Sequence, residues 1–121
     1  MFKRIKNWYQ QRKKSALFEA EVTVTDKDGT ITVAYPDGTI QTILWDKMES
    51  IEVHTNDSGP WGADVWWVLR ATDCFCSYPQ GATGEDALIP KYQALPGFDN
   101  EELIKAMGCT SNREFICWHR K

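Results

Sequence analysis

Residues 18–45 read FEAEVTVTDKDGTITVAYPDGTIQTILW, and this stretch decides the fold. From Phe18 to Thr25 apolar and polar side chains alternate, which is the period of a strand with one buried face. The motifs DKDG at 26–29 and PDG at 36–38 predict two tight turns, because glycine supplies the positive φ that such turns need. The stretch therefore predicts an antiparallel meander of three strands, at residues 18–25, 30–35 and 39–45.

The strand pattern continues beyond this meander. Trp45 begins a segment that predicts a bend, and a long loop follows at 56–62. Three further strands are predicted at residues 49–55, 64–71 and 74–78. A last short strand around Phe115 and Cys117 is expected to return to the sheet.

Helical signals appear after residue 80. A helix is predicted from about 85 to 94, with Pro90 in an awkward place inside it. A second helix is predicted up to Met107, with Asp99 as its N-cap and Gly108 at its end. These signals together predict an α+β fold in which an antiparallel meander sheet is followed by two C-terminal helices.

The N-terminal residues predict an amphipathic helix over about 2–16. Its apolar side chains follow the 3.6-residue period, and six cations occupy much of the rest. We therefore expect a basic helix or arm at 1–17 and a single α+β domain at 18–121, since 121 residues suit one core.

Charge is distributed unevenly along the chain. The total is −3, from 14 basic and 17 acidic residues, yet six of the basic residues lie in the first 14 positions. Between Glu19 and Glu102 there are 16 acidic and four basic residues, a net charge of −12. Such a field repels nucleic acid and attracts basic proteins. We therefore expect a basic protein partner and no nucleic acid.

The sequence carries no motif typical of an enzyme or a secreted protein. No apolar run approaches the ~20 residues of a membrane span, and no signal peptide is recognisable, so a cytoplasmic protein is expected. The four cysteines lack the Cys-x2-Cys spacing of zinc sites, so we expect reduced thiols and no metal. A hydrolase using His54 and Ser58 is a further alternative, but two side chains four positions apart in an extended segment are too distant for a reliable Ser–His hydrogen bond. We expect no catalytic residue and no cofactor.

The most informative functional pattern combines aromatic and acidic residues around the long loop. Aromatic anchors beside acids are typical of a surface that binds a basic partner. The predicted contact residues are Asp57, Trp61, Asp64 and Trp67. In the alternative interpretation, Trp66 and Trp67 point to opposite faces of a strand, so that one lies in the core and the other under a helix.

The N-terminal segment supports an alternative function. A basic helix with an apolar stripe binds reversibly to anionic membrane surfaces, so the chain would be a peripheral membrane module, and liposome flotation with and without residues 1–14 tests this. The predicted membrane contacts are Phe2, Lys3, Arg4, Ile5, Lys6 and Trp8.

Two segments resemble known bacterial proteins. Residues 43–53, ILWDKMESIEV, are similar to the passage from the third to the fourth strand in small stand-alone pleckstrin-homology-like domains. Residues 80–101 resemble uncharacterised bacterial proteins similar to immunity proteins of contact-dependent and Rhs-type toxin systems. The resemblance implies a pleckstrin-homology-like half-barrel and a non-enzymatic immunity protein that neutralises a cationic toxin domain, such as a nuclease.

Overall fold

The computed structural model describes residues 21–56, 65–109 and 111–120. The described chain forms a mixed α+β fold with two antiparallel sheets. Its strands are β1 (Thr23–Lys27), β2 (Thr30–Ala34), β3 (Ile40–Leu44), β4 (Met48–Thr55), β5 (Val65–Ala71), β6 (Phe75–Pro79) and β7 (Arg113–His119). Its helices are α1 (Ile89–Gln93) and α2 (Asn100–Met107), with 3-10 turns at Trp45–Lys47 and Glu85–Ala87.

The first sheet is the predicted meander, in the order β1-β2-β3. Asp28 and Gly29 connect β1 to β2 with φ values of 53° and 77°, and Gly38 turns β2 into β3 with a φ of 94°. Positive φ at both central residues matches the right-handed twist of a two-residue hairpin. Valine and isoleucine side chains alternate along the strands and bury one face of this sheet. The three strands and both turns are thus confirmed where the structure describes them.

The prediction of one continuous meander sheet is wrong. β4 pairs with β5 and β7 instead of β3, and the second sheet has the order β6-β5-β4-β7. Trp45 explains the break: its backbone N–H donates to the Gly29 carbonyl at 3.0 Å and its Nε1 donates to Asp26 Oδ1 at 3.0 Å. These bonds fix the 3-10 turn against the first hairpin, so the chain leaves that sheet after β3.

The second sheet has an inner and an outer face, defined by its pairing register. Val53 lies opposite Trp67 on the inner face, and His54 lies opposite Trp66 on the outer face. β4 is buried from Ile51 to Thr55 and β5 from Val65 to Leu69, so both faces of the central strands are covered. This explains why β5 carries apolar side chains on both faces and shows no period-two alternation.

The helical region is shorter than the sequence predicts. The predicted helix at 85–94 divides into the 3-10 turn Glu85–Ala87 and the short α1. Pro90 lies in the first turn of α1, where the missing N–H donor leaves no intrahelical hydrogen bond unmade. The prediction for α2 is confirmed: the Asp99 side chain accepts a hydrogen bond from the Glu102 N–H at 3.1 Å.

Tyr92 of α1 joins the two sheets in the core. Its ring centroid lies 5.2 Å from that of Trp67 on the inner face of the second sheet and 5.8 Å from that of Trp45. Its hydroxyl lies 2.6 Å from the hydroxyl of Tyr78, and both tyrosines are fully buried. A further contact joins the sheets where the Tyr35 hydroxyl donates to the Ser77 carbonyl.

Candidate interaction surface

The structure corrects one of the four predicted contact residues. Trp67 is 0% exposed and packs against Tyr92, so it belongs to the core and does not reach a partner. Trp66 is also fully buried, on the outer face. The two tryptophans therefore point to opposite faces, as expected for neighbours in a strand. Asp57, Trp61 and Asp64 lie outside the described residues.

All predictions for the N-terminal segment also fall outside the described residues. This applies to the helix or arm at 1–17, to the start of the first strand at Phe18, and to the six membrane contacts. These stay predictions. In the described part of the chain, no helix is long and apolar enough to cross a membrane.

The ends of the predicted contact loop lie at one end of the second sheet. Thr55 and Val65 are paired at this end, directly before and after the loop. Gln80 connects it to α2: its backbone N–H donates to the Val65 carbonyl at 2.8 Å, and its side-chain amide contacts Met107 Sδ at 3.3 Å. We call this end of the sheet, marked by Thr55 and Val65, together with Gln80, Met107 and Cys109, the loop pole.

Exposed apolar side chains lie at the loop pole and beside it on α2. Ile104 is 71% exposed and Met107 is 39% exposed, and they lie three positions apart on α2, so they share one side of this helix. Glu101, also exposed, lies on that side one turn earlier. Large exposed apolar residues beside carboxylates are typical of surfaces that bind proteins. This part of the surface is not among the contact residues predicted from the sequence, although Ile104 lies outside the helix stripe formed by buried Leu103 and Ala106.

Cys109, at the loop pole, has the lowest thiol pKa of the four described cysteines. Hydrogen bonds from the side chains of Ser111 and Thr55 lower its pKa to about 7. The Ser111 hydroxyl lies 3.4 Å from its Sγ atom. Burial instead raises the pKa of Cys76 and of Cys117 to about 12. Cys76 and Cys117 are buried, and all four thiols are free of disulfide bonds.

Most carboxylates in the described chain are exposed. Glu52 and Glu85 are the two buried ones among the described residues. Within the described chain, two of the four cations between Glu19 and Glu102 form ion pairs: Arg70 pairs with Glu52, and Lys91 pairs with Asp26. The described residues between Glu21 and Glu102 therefore present a negative field to solvent.

A buried charged cluster occupies the outer face of the second sheet. Glu52 Oε1 lies 2.9 Å from His54 Nε2, Glu52 Oε2 lies 2.8 Å from Arg70 Nε, and the Ser50 hydroxyl donates to Glu52 at 2.9 Å. Burial acts to raise the pKa of Glu52, but these hydrogen bonds and the Arg70 charge hold it below its ordinary value. The pairing register places Arg70 of β5 opposite Ser50 and close to Glu52, a contact that no spacing in the sequence indicates.

The described geometry limits what His54 and the metal-binding residue types can do. His54 is 2% exposed and engaged with Glu52, so it does not reach a dissolved substrate in the way a general base must. Ser58, its hypothetical partner, lies outside the described residues. Within the described ranges, no three His, Cys, Asp or Glu side chains come together in a way that would hold a metal ion.

Comparisons with known proteins found no relative: no family model, no curated protein and no solved structure matches this chain.

Proposed function

We propose that the chain is a non-enzymatic cytoplasmic binding protein, and most concretely an immunity protein that binds and neutralises a cationic toxin domain, such as a nuclease. The observation that carries this proposal is the net charge of −12 between Glu19 and Glu102. The exposed position of most described carboxylates supports it. A field of this kind raises association rates with a basic partner by ~10–10³-fold at low ionic strength.

The loop pole is the proposed contact surface. Asp57, Trp61 and Asp64 supply acidic and aromatic side chains within eight residues of sequence. Ile104 and Met107 add exposed apolar area next to the ends of that loop. A basic partner would be steered by the carboxylates and held by the apolar contacts, because steering mainly affects the association rate and apolar anchors mainly affect dissociation.

A pleckstrin-homology-like half-barrel is part of this proposal. Two antiparallel sheets of three and four strands and the bend at Trp45–Lys47 support it. β7 departs from a fold closed by one terminal helix, because it follows α2 and returns to pair with β4.

Affinity capture from the native host tests the proposed function. The full chain and two double variants serve as baits at low and moderate salt, and retained proteins are identified by mass spectrometry. One variant is Asp57→Lys with Asp64→Lys. The control is Glu21→Lys with Asp86→Lys, which makes the same change in net charge at exposed positions near Thr83.

We expect one basic protein to be retained at moderate salt by the wild type and by the control. The loop variant should lose it, and the purified pair should associate at least tenfold more slowly. Equal losses for both variants would show that only total charge matters. If the chain retains only lipids, and loses them when residues 1–14 are deleted, it is a peripheral membrane module and not an immunity protein.

A further inference from the structure

Two cavities meet at Arg120, at the end of the second sheet opposite the loop pole. The first has a volume of about 320 Å³, and we call it the aromatic pocket; it is lined by Trp45, Met48, Leu95, Pro96, Trp118, His119 and Arg120. The second is a groove of about 710 Å³ that contains Asp46, Glu49 and Asp73, and we call it the acidic groove. Arg120 lines both, so a single extended segment of another molecule can occupy them together.

The aromatic pocket has walls that are fixed by hydrogen bonds. The Trp118 Nε1–H donates to the Pro96 carbonyl at 3.0 Å. Arg120 Nε donates to the Met48 carbonyl at 2.9 Å, and Arg120 Nη2 donates to the Trp45 carbonyl at 3.1 Å. The Arg120 guanidinium also lies 5.5 Å over the Trp118 ring. The pocket is therefore largely preformed, and its volume, at the low end of the ligand-site range, suits one large side chain.

The acidic groove determines the charge of the occupant. Asp46, Glu49 and Asp73 are all exposed. Among the described ion pairs, none involves these three carboxylates. Lys47 and Arg120 are the cations lining the groove, and two of the Arg120 N–H groups are directed at backbone carbonyls. The carboxylates thus outnumber the cations, and the groove complements a positive ligand.

We propose that this end of the molecule binds a basic peptide segment. One aromatic or large aliphatic side chain of the segment enters the aromatic pocket, and neighbouring Lys or Arg side chains lie along the acidic groove. The site is independent of the loop pole, because the eight residues of β4 separate them by ~25 Å. Any protein that carries such a basic segment would bind here, so this site extends the function beyond toxin neutralisation.

Titration of the ¹⁵N-labelled full chain with short peptides tests the site. The probe is acetyl-Arg-Trp-Arg-amide, and the comparison peptides are acetyl-Arg-Ala-Arg-amide and acetyl-Glu-Trp-Glu-amide. We expect saturable shifts of the indole N–H signals of Trp45 and Trp118, with buried Trp67 unaffected. Both comparison peptides should bind at least fivefold more weakly, because the first lacks the aromatic side chain and the second lacks the cations.

Two variants separate local recognition from the general field. Asp73→Lys should weaken the Arg-Trp-Arg peptide at least fivefold, whereas Asp86→Lys, with the same charge change at another exposed site, should stay within twofold. Leu95→Phe narrows the aromatic pocket and should also weaken binding; if it fails to fold, the Asp73 variant still decides the matter. Unmoved Trp45 and Trp118 signals, or equal effects of both charge variants, would overturn the site. The affinity capture with loop-pole variants would be unaffected by either result, so the two proposals fail separately.

Discussion

Replacing Trp67 by alanine distinguishes a core residue from a contact residue. Trp67 is 0% exposed on the inner face of the second sheet, with its ring centroid 5.2 Å from that of Tyr92. A buried tryptophan hides ~150–250 Å², and at ~25 cal/mol per Å² this area corresponds to ~4–6 kcal/mol. Core Trp→Ala substitutions cost ~3–5 kcal/mol. We therefore expect Trp67→Ala to lower the free energy of unfolding by about 4 kcal/mol.

Urea denaturation followed by far-ultraviolet circular dichroism measures this loss. With a urea m-value of ~1.5–2 kcal/mol/M, the unfolding midpoint should fall by ~2–3 M. Trp67→Phe keeps a ring against Tyr92. It also loses no hydrogen bond, because Trp67 Nε1 has no hydrogen-bond partner within the described chain. It should cost only ~1–2 kcal/mol.

Ile104→Ala is the matched surface control. Ile104 is 71% exposed, so its truncation should change stability by less than ~0.5 kcal/mol. A Trp67→Ala protein within ~1 kcal/mol of the wild type would refute the placement of Trp67 in the core. It would restore this residue to the candidate contact surface.

Three further predictions follow from buried or perturbed groups. Tyr92→Phe leaves the Tyr78 hydroxyl buried without its partner at 2.6 Å and should cost ~1–3 kcal/mol, whereas the double variant Tyr78→Phe/Tyr92→Phe should recover part of this loss in the same urea assay. The pKa of Glu52 is lowered in the folded state, so its contribution to stability is full above the unfolded-state pKa and is lost as pH falls through the folded-state pKa. Glu52→Gln should therefore reduce the fall in melting temperature at acidic pH. An unchanged fall in melting temperature would contradict this. The pKa of Cys109 is about 7, whereas that of Cys74 is raised. Iodoacetamide at neutral pH should therefore alkylate Cys109 before Cys74. Mass spectrometry that shows Cys74 modified first would disprove this order.

Local signals were sufficient to predict most elements of the described fold. Asp28-Gly29 and Pro36-Asp37-Gly38 set the two hairpin turns, and Asp99 set the start of α2, because each depends on nearby backbone geometry. The division into two sheets was not predictable in this way. It depends on the contacts of Trp45 with Asp26 and Gly29, which are distant in sequence.

The candidate surfaces were less predictable for the same reason. A tryptophan in a strand is compatible with either exposure or burial, and the packing of Tyr92 decided the position of Trp67. The aromatic pocket joins Trp45, Leu95 and Trp118 from three separate parts of the chain. No spacing rule brings such residues together. The acidic charge, in contrast, is a property of composition and was read directly from the sequence.

Co-expression with the captured basic protein tests the central claim most directly. We expect that this protein alone arrests bacterial growth and that the wild-type chain restores growth. The Glu21→Lys/Asp86→Lys control should restore it as well, whereas Asp57→Lys/Asp64→Lys should not. A captured protein without any effect on growth, or equal rescue by both double variants, would contradict neutralisation through the loop pole.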